Sequence, residues 1–372
     1  MERVCIFCGK KLENKTSEHV LPRWLIEMTG NPKRTATFGY QHLKNGELAP
    51  RRFSFDSFKF PACESCNLSF SSFESEASVI IHKVLSDDSL SNSELNTLLD
   101  WFDKLRIGLW LAHQYLNKNP MGINPHFHIA TRIGQSDRML AIFKANGDRH
   151  GLNTVGEDTP LFTMTPSCFC LRINSYFFLN MSCHNLIARR LGFPFSKIDY
   201  FTGEGDELRS VFIEGTNRFM LPLLKKRIGL QGTELYQPIF SGIKIKSDPT
   251  LITELYDTKY VRDRCIIWEK GIGKIFLQNN NVDELAVYPD SPSKIWVPKR
   301  IYDFDDLTLE IQNMAFEWQL YIEKLRPSFE LISVQKRSDY IRLHNDGEKY
   351  NREIMELLSE QKRHQKPRRL WA

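Results

Sequence analysis

Ser17-Glu18-His19-Val20-Leu21-Pro22-Arg23-Trp24 lies between two matched cysteine pairs, Cys5-Ile6-Phe7-Cys8 and Cys63-Glu64-Ser65-Cys66, and the second pair runs directly into Asn67. Each C-x-x-C places two thiols on one tight turn. Two such turns suit a tetrahedral site of four thiolates at roughly 2.3 Å from a zinc ion. The chain between Cys8 and Cys63 then becomes a closed loop. A thioredoxin-type redox pair explains one C-x-x-C but not two, and it wants a strand before it and a helix after it. Four reduced cysteines buried as small apolar groups leave the repeated spacing unexplained. Cys5, Cys8, Cys63 and Cys66 therefore read as ligands of a structural Zn²⁺.

C-x-x-C, then Glu-His-Val-x-Pro-x-Trp-Leu, then C-x-x-C-Asn resembles the zinc-containing branch of the HNH endonucleases, whose shared core is a ββα-metal fold. The match covers roughly residues 1–85, under a quarter of the chain. The resemblance implies that His19 is a general base, taking a proton from the water that attacks a DNA phosphodiester. Glu18 stands where the family commonly has Asp, and Asn67 where it has His or Asn on the helix. Both positions imply ligands of one divalent cation, Mg²⁺ or Mn²⁺, which neutralises charge in the transition state and stabilises the leaving 3′-oxygen. Hard oxygen donors suit those ions, whereas thiolates select zinc. The middle Asn of the family has no clear counterpart, Asn45 being the nearest, and the gap from His19 to Cys63 is long. Adjacent residues on a regular strand point to opposite faces, so a bulged hairpin is expected at Glu18-His19, with Pro22 helping to end the pairing.

Phe70, Phe73, Ala77, Ile80, Ile81 and Val84 recur at three- and four-residue spacing, which predicts an amphipathic helix starting at the second cysteine pair. Glu74 lies two turns from Asn67, roughly 10 Å away, too far to share an ion with it. It reads as a solvated or salt-bridged carboxylate, and His82 as surface. Between His19 and Cys63, residues 34–40 and 52–60 alternate polar and aromatic types with a phase shift after Phe55, which predicts a strand with a break. Their rings read as the small core of this unit, with base stacking as the rival role. Ser91-Asn92-Ser93-Glu94 is a capping-box pattern opening a long helix through Tyr115, nearly apolar in its second half and so expected to be buried.

The chain has 372 residues, 41% hydrophobic and 26% charged, enough for two or more parts with substantial cores. No apolar run of membrane-spanning length occurs, and a cysteine pair stands where a signal sequence would be, so a cytoplasmic protein with no membrane partner is expected. The net charge of +5 is mild, but residues 2–62 hold eleven Lys and Arg against six Asp and Glu. Phosphate is the natural partner for such a surface. Residues 362–369 repeat the basic signal in a tail that can grip a backbone without reading sequence, or can simply be solvated.

From about 121 to 300 the pattern changes to short β-prone runs at 126–132, 139–144, 161–164, 168–173, 237–240 and 265–268, punctuated by Gly, Pro, Asn and Asp, which argues for a largely antiparallel sheet. Within it, Cys168 and Cys170 would share one face of a strand. Packed core cysteines are the simpler reading there against a second metal site, and packed or exposed residues likewise for His126 and His128. Gly203-Glu204-Gly205 and Gly271-Ile272-Gly273 need be no more than turns. Phe304 to Leu325 carries a strong apolar stripe ended by Pro327, and 337–363 predicts a more charged helix.

The expected architecture is α+β: a ββα-metal zinc unit at 1–88, a connecting helix at 89–120, an α+β recognition or regulatory part at 121–300, and C-terminal helices with a basic tail at 301–372. The expected activity is metal-dependent hydrolysis of DNA, with a protein activator or partner for the larger part. Modular nucleases of this kind often serve bacterial defence against foreign DNA, which the architecture suggests as a setting here. Two rivals remain: a non-catalytic zinc-dependent nucleic-acid-binding protein, and a zinc-stabilised subunit of a larger complex.

Overall fold

The structure is a computed structural model that describes residues 4–5, 8, 10–12, 16–42, 48–117, 138–183, 197–202, 208–213, 230, 232–237, 265–267, 272–273, 275–279, 282–286, 300–324 and 334–365. The architecture is α+β, with antiparallel sheets and two C-terminal helices.

In the amino-terminal unit, β1 (Thr16–His19) pairs antiparallel with β4 (Lys59–Ala62). Between them come the short helix α1 (Arg23–Met28) and a hairpin of β2 (Thr35–His42) and β3 (Leu48–Ser54). A 3₁₀ turn at Phe55–Ser57 separates β3 from β4. That turn is the physical form of the phase shift in the aromatic run, because it resets which face each following residue occupies. Phe38, Phe58 and Phe60 are buried and Phe53 packs on Phe58 at 4.8 Å between ring centroids, so the rings do build a core. Helix α2 (Glu64–Leu85) follows β4 directly, giving a ββα order, and its buried residues include Ala77, Ile80, Ile81 and Val84.

The expected bulge at Glu18-His19 is absent. The β1–β4 register runs without a shift through Glu18↔Phe60 and His19↔Lys59, and Val20 N–H donates to Phe58 O at 3.0 Å to extend it. Phe60 and Ala62 are buried and Lys59 is exposed, so a slip of one residue would turn this apolar face to water. The irregularity falls instead in the β2–β3 hairpin, between Thr37 and Tyr40. Asn45 lies outside the described residues.

Helix α3 (Asn92–Leu116) begins as its sequence predicts: the Ser91 side chain accepts from Glu94 N–H and the Glu94 carboxylate accepts from Ser91 N–H at 2.8 Å. It lies across one face of the main sheet, whose strands are β5 (Arg138–Ala145), β6 (Leu152–Val155), β7 (Cys168–Ile173), β8 (Tyr176–Ser182), β11 (Thr233–Gln237), β14 (Ile275–Asn279) and β15 (Val282–Ala286), in the order β15-β14-β11-β5-β8-β7-β6. All these pairings are antiparallel, and β16 (Ile301–Tyr302) adds a short parallel pairing at the end of β5. Two further pairs stand apart, β9 (Lys197–Thr202) with β10 (Leu208–Ile213) and β12 (Cys265–Ile267) with β13 (Ile272–Gly273).

Period-two alternation divides the sheet between two cores. Leu140, Ile142, Phe169, Leu171 and Phe178 face α3 and share one continuous cluster with the amino-terminal unit. Met139, Ala141, Phe143, Cys168, Cys170 and Leu179 face the other way, against α5 (Phe304–Glu323). The central strands are therefore apolar on both faces, as strands sandwiched between helices must be. Helix α6 (Val334–Gln365) packs in turn on α5 and on α4 (Pro160–Met164). Gly347 permits this approach, since a Cβ there would sit 2.7 Å from the Leu161 side chain.

Residues 161–164, which read as β-prone, belong to helix α4. Thr159 caps it by accepting from Phe162 N–H at 3.0 Å, and Pro160 supplies the first helical turn, so local capping overrides the run's β propensity. Residues 126–132, with His126 and His128, and residues 203–205, 238–240 and 366–372 lie outside the described set. Lys362, at the start of the basic tail, is ion-paired with Glu310 of α5.

Candidate metal and phosphodiester site

Cys63 occupies the N-cap position of α2 and Cys66 its first turn, so the second cysteine pair is shaped by the start of that helix. Asn67 N–H donates to Cys63 O at 3.0 Å. The first pair is held by a tight reversal, with Cys5 N–H donating to Lys10 O at 2.9 Å and Val4 bridging Lys11. These two turns bring all four cysteine sulfurs within 4.8 Å of one another, with Cys8 Sγ and Cys63 Sγ 3.7 Å apart. A tetrahedron with arms of 2.3 Å has edges of about 3.8 Å, so the cluster could hold one metal ion, and four sulfur donors fit zinc. The Ser65 hydroxyl, 3.3 Å from its sulfur, draws the Cys63 thiol down to about 6, while burial and the neighbouring thiols push Cys66 up. Among the described residues this is the one such cluster of His, Cys, Asp and Glu. Cys168 and Cys170 are buried thiols whose ionisation burial opposes, and they are core residues of the α5 face.

The regular β1 ladder sends Glu18 and His19 to opposite sides. His19 shares its side with Lys59 and is half-buried. Burial and the cations of Lys59 and Arg23 lower its pKa from the ordinary value of 6.5, while a hydrogen bond with the Asp56 backbone works the other way. Lys59 and Arg23 thus place positive charge near the ring, with the Asp56 carboxylate opposing them.

Glu18 points instead toward α2 and α3, where Lys104 Nζ lies 3.4 Å from Glu18 Oε1. The same ammonium makes a closer ion pair with Glu74 Oε1. Glu74 Oε2 accepts from the indole N–H groups of Trp24 and Trp101, each at 3.0 Å. Glu74 is thus salt-bridged, as its sequence position allowed, and buried instead of solvated. Burial and the Glu74 charge raise the Glu18 pKa, against the pull of Lys104. Asn67, in the first turn of α2, has a buried Oδ1 with no hydrogen-bond partner. A buried amide oxygen left in that state costs about 1–3 kcal/mol, and a cation is one group that would satisfy it.

No protein-family model, curated protein or solved structure matches this chain.

The ion pair of Lys104 and the indole donation of Trp101 to Glu74 are not legible in the near-apolar stripe of α3 as such. The available signal was Asp103, Lys104 and Arg106 interrupting that stripe: charges inside an otherwise apolar helix must be paired when buried. The basic surface is also narrower than the residue count implies. Arg34 is spent internally, donating to Ile26 O, Asn31 O and Thr29 Oγ1, and lies over the Phe55 ring. Arg51 donates to Asn117 Oδ1. Lys33, Arg52 and Lys59 are exposed, as is Arg23, which pairs with Glu27 at 2.7 Å.

Among the described residues, no helix is long and apolar enough to cross a membrane.

Proposed function

We propose that the amino-terminal unit is a metal-dependent endonuclease of the HNH type that hydrolyses phosphodiester bonds in DNA, with Zn²⁺ at the four cysteines as its structural ion. The observation that carries this reading is the joining of the four-cysteine cluster to a ββα order in which His19 lies half-buried on the side of β1 that it shares with Lys59. A general base must be unprotonated to accept the proton of the attacking water, and burial and the neighbouring cations favour that form of His19. Lys59 and Arg23 attract the phosphate that the water attacks. Glu18 and Asn67 are the residues to hold a Mg²⁺ or Mn²⁺ ion, which when bound supplies charge neutralisation at the scissile phosphate. The larger α+β part serves as a recognition, regulatory or partner-binding module, and bacterial defence against foreign DNA is the setting such a modular enzyme suits.

The pairing of Glu18 with Lys104, on the face of β1 opposite His19, favours a second reading: a zinc-stabilised unit that grips nucleic acid without cutting it. One experiment separates the two. Supercoiled plasmid and single-stranded DNA are incubated with the protein and Mg²⁺ or Mn²⁺, beside His19→Ala. Cleavage that disappears in the variant supports the nuclease. Salt-sensitive binding without cleavage under either ion supports the second reading.

A further inference from the structure

Asn67, Phe70 and Glu74 lie at positions i, i+3 and i+7 of α2, a spacing that puts an amide oxygen, an aromatic ring and a carboxylate on one helix face. Lys104 of α3 is set against that face, with Nζ 5.5 Å from the centroid of the Phe70 ring and ion-paired to Glu74. Glu18 reaches the same ammonium from β1. Two carboxylates thus share one lysine, and they are not equivalent. Glu74 is fixed by two indole N–H donors as well as the closer ion pair, and it is buried. Glu18 has the longer contact, at 3.4 Å, and its carboxylate is the more exposed of the two. If one partner gives up the lysine, it is Glu18.

Resting on the reading of Glu18 and Asn67 as cation ligands, we propose that Lys104 is a positioning residue for that site. It holds the Glu18 carboxylate in the metal-free protein and is retained by Glu74 when a divalent cation takes Glu18. Glu74 is then the lysine's permanent counter-ion, and Trp24 of the Glu-His-Val-x-Pro-x-Trp stretch works with Trp101 to keep it in place. The ammonium also sets the affinity of the site, because a cation entering beside Lys104 meets its repulsion. Removing that charge tightens cation binding, whereas removing the charge of Glu74 takes away the closer counter-ion, draws Lys104 toward Glu18 and weakens it. Both variants loosen the same buried cluster, so a purely structural role would move them in the same direction.

The test is calorimetric titration of Mn²⁺ into the zinc-loaded full chain, with Glu18→Gln defining the binding that depends on Glu18. Circular dichroism and zinc content establish that each variant is folded. Lys104→Met is expected to bind Mn²⁺ about tenfold more tightly, and Glu74→Gln about tenfold more weakly, the scale of one nearby unit charge in a partly screened site. Shifts in the same direction, or no shift, overturn the role of Lys104 and leave Glu18 as a ligand. If Lys104→Met does not fold, an unchanged affinity in Glu74→Gln still overturns it. Absence of any Glu18-dependent Mn²⁺ binding in both the wild type and Lys104→Met overturns this role together with the cation site. Opposite shifts in a protein that cuts no DNA uphold Lys104 and sink the nuclease reading alone.

Discussion

At the scale of single residues, the histidines of this chain show how position decides charge. His19 lies near Lys59 and Arg23, whose charges together with burial lower its pKa from the ordinary value. His113, in the last turn of α3, is buried against Phe38 at 5.7 Å between ring centroids, and burial together with the Arg51 charge pushes its pKa down to about 4. Its unfolded value is near 6.5, so below that pH the unfolded chain takes up a proton that the folded chain refuses. Stability is therefore whole above pH 6.5 and is lost progressively as pH falls toward 4. The two values differ enough for a loss of about 3 kcal/mol, an upper figure for one group. His113→Gln should remove most of this dependence. Urea unfolding of both proteins at pH 7 and pH 4 checks it: if the two lose stability in parallel, His113 is not the acid-sensitive group.

At the scale of elements, α3 carries most of the organisation, and its two sides differ in how well they can be read. Its beginning is legible because capping is local: Ser91 and Glu94 are three residues apart, and their geometry follows from that spacing alone. The stripes of α2 and α5 are legible for the same reason. What the sequence hides is nonlocal. Lys104 meets Glu18 across 86 positions and Glu74 across 30, and nothing near Lys104 announces either partner. The absent bulge in β1 has the same origin, since its register is set by the burial of Phe60 and Ala62 on the distant strand β4. The cysteine cluster was legible because the ligand spacing within each pair is itself local, and only the meeting of the pairs is not.

Helix α3 also holds a second buried network. Arg138 of β5 reaches Asp100 and Asp103 of the helix and donates to Gln237 of β11 at 2.9 Å, while Asp103 also pairs with Arg106 at 2.7 Å. Arg138 is almost fully buried, and its removal leaves the buried Asp103 to its ion pair with Arg106 and takes the Arg138 cation from Asp100. Arg138→Ala should cost about 3–5 kcal/mol, as breaking a buried pair does. Arg138→Met combined with Asp103→Leu and Arg106→Met should recover much of that loss, because apolar replacement of all three buried partners leaves only Asp100, whose side chain is the more exposed, without its cation. Chemical denaturation of the single and triple variants measures the difference. A triple variant no more stable than Arg138→Ala would show that the network does more than satisfy its own charges.

At the scale of the whole molecule, α3 joins the cysteine-cluster unit to the sheet through one apolar body. Cys5, Leu25 and Ile81 of the amino-terminal unit share a cluster with Trp101 and Phe102 of α3, and with Phe169 and Phe178 of the sheet. The contacts are close: Trp24 meets Trp101 at 5.6 Å between centroids, and Phe102 stacks on Phe178 at 5.3 Å. If zinc closes the loop between Cys8 and Cys63, its removal frees 55 positions of chain and takes away the constraint that keeps the small ββα unit against α3. A unit held by a flexible linker would then melt by itself and leave the sheet untouched. This unit has no such independence, because its loss exposes Trp101, which no water reaches in the folded chain. Treatment with a strong chelator under reducing conditions should therefore lower the melting temperature of the whole protein in a single transition, with far-ultraviolet circular dichroism and tryptophan fluorescence moving together. Two separated transitions, the later one at the original temperature, would mean that the shared core couples the two parts less than its burial implies. An unchanged melting curve after the metal content has been shown to fall would mean that the four cysteines need no ion to stay in place.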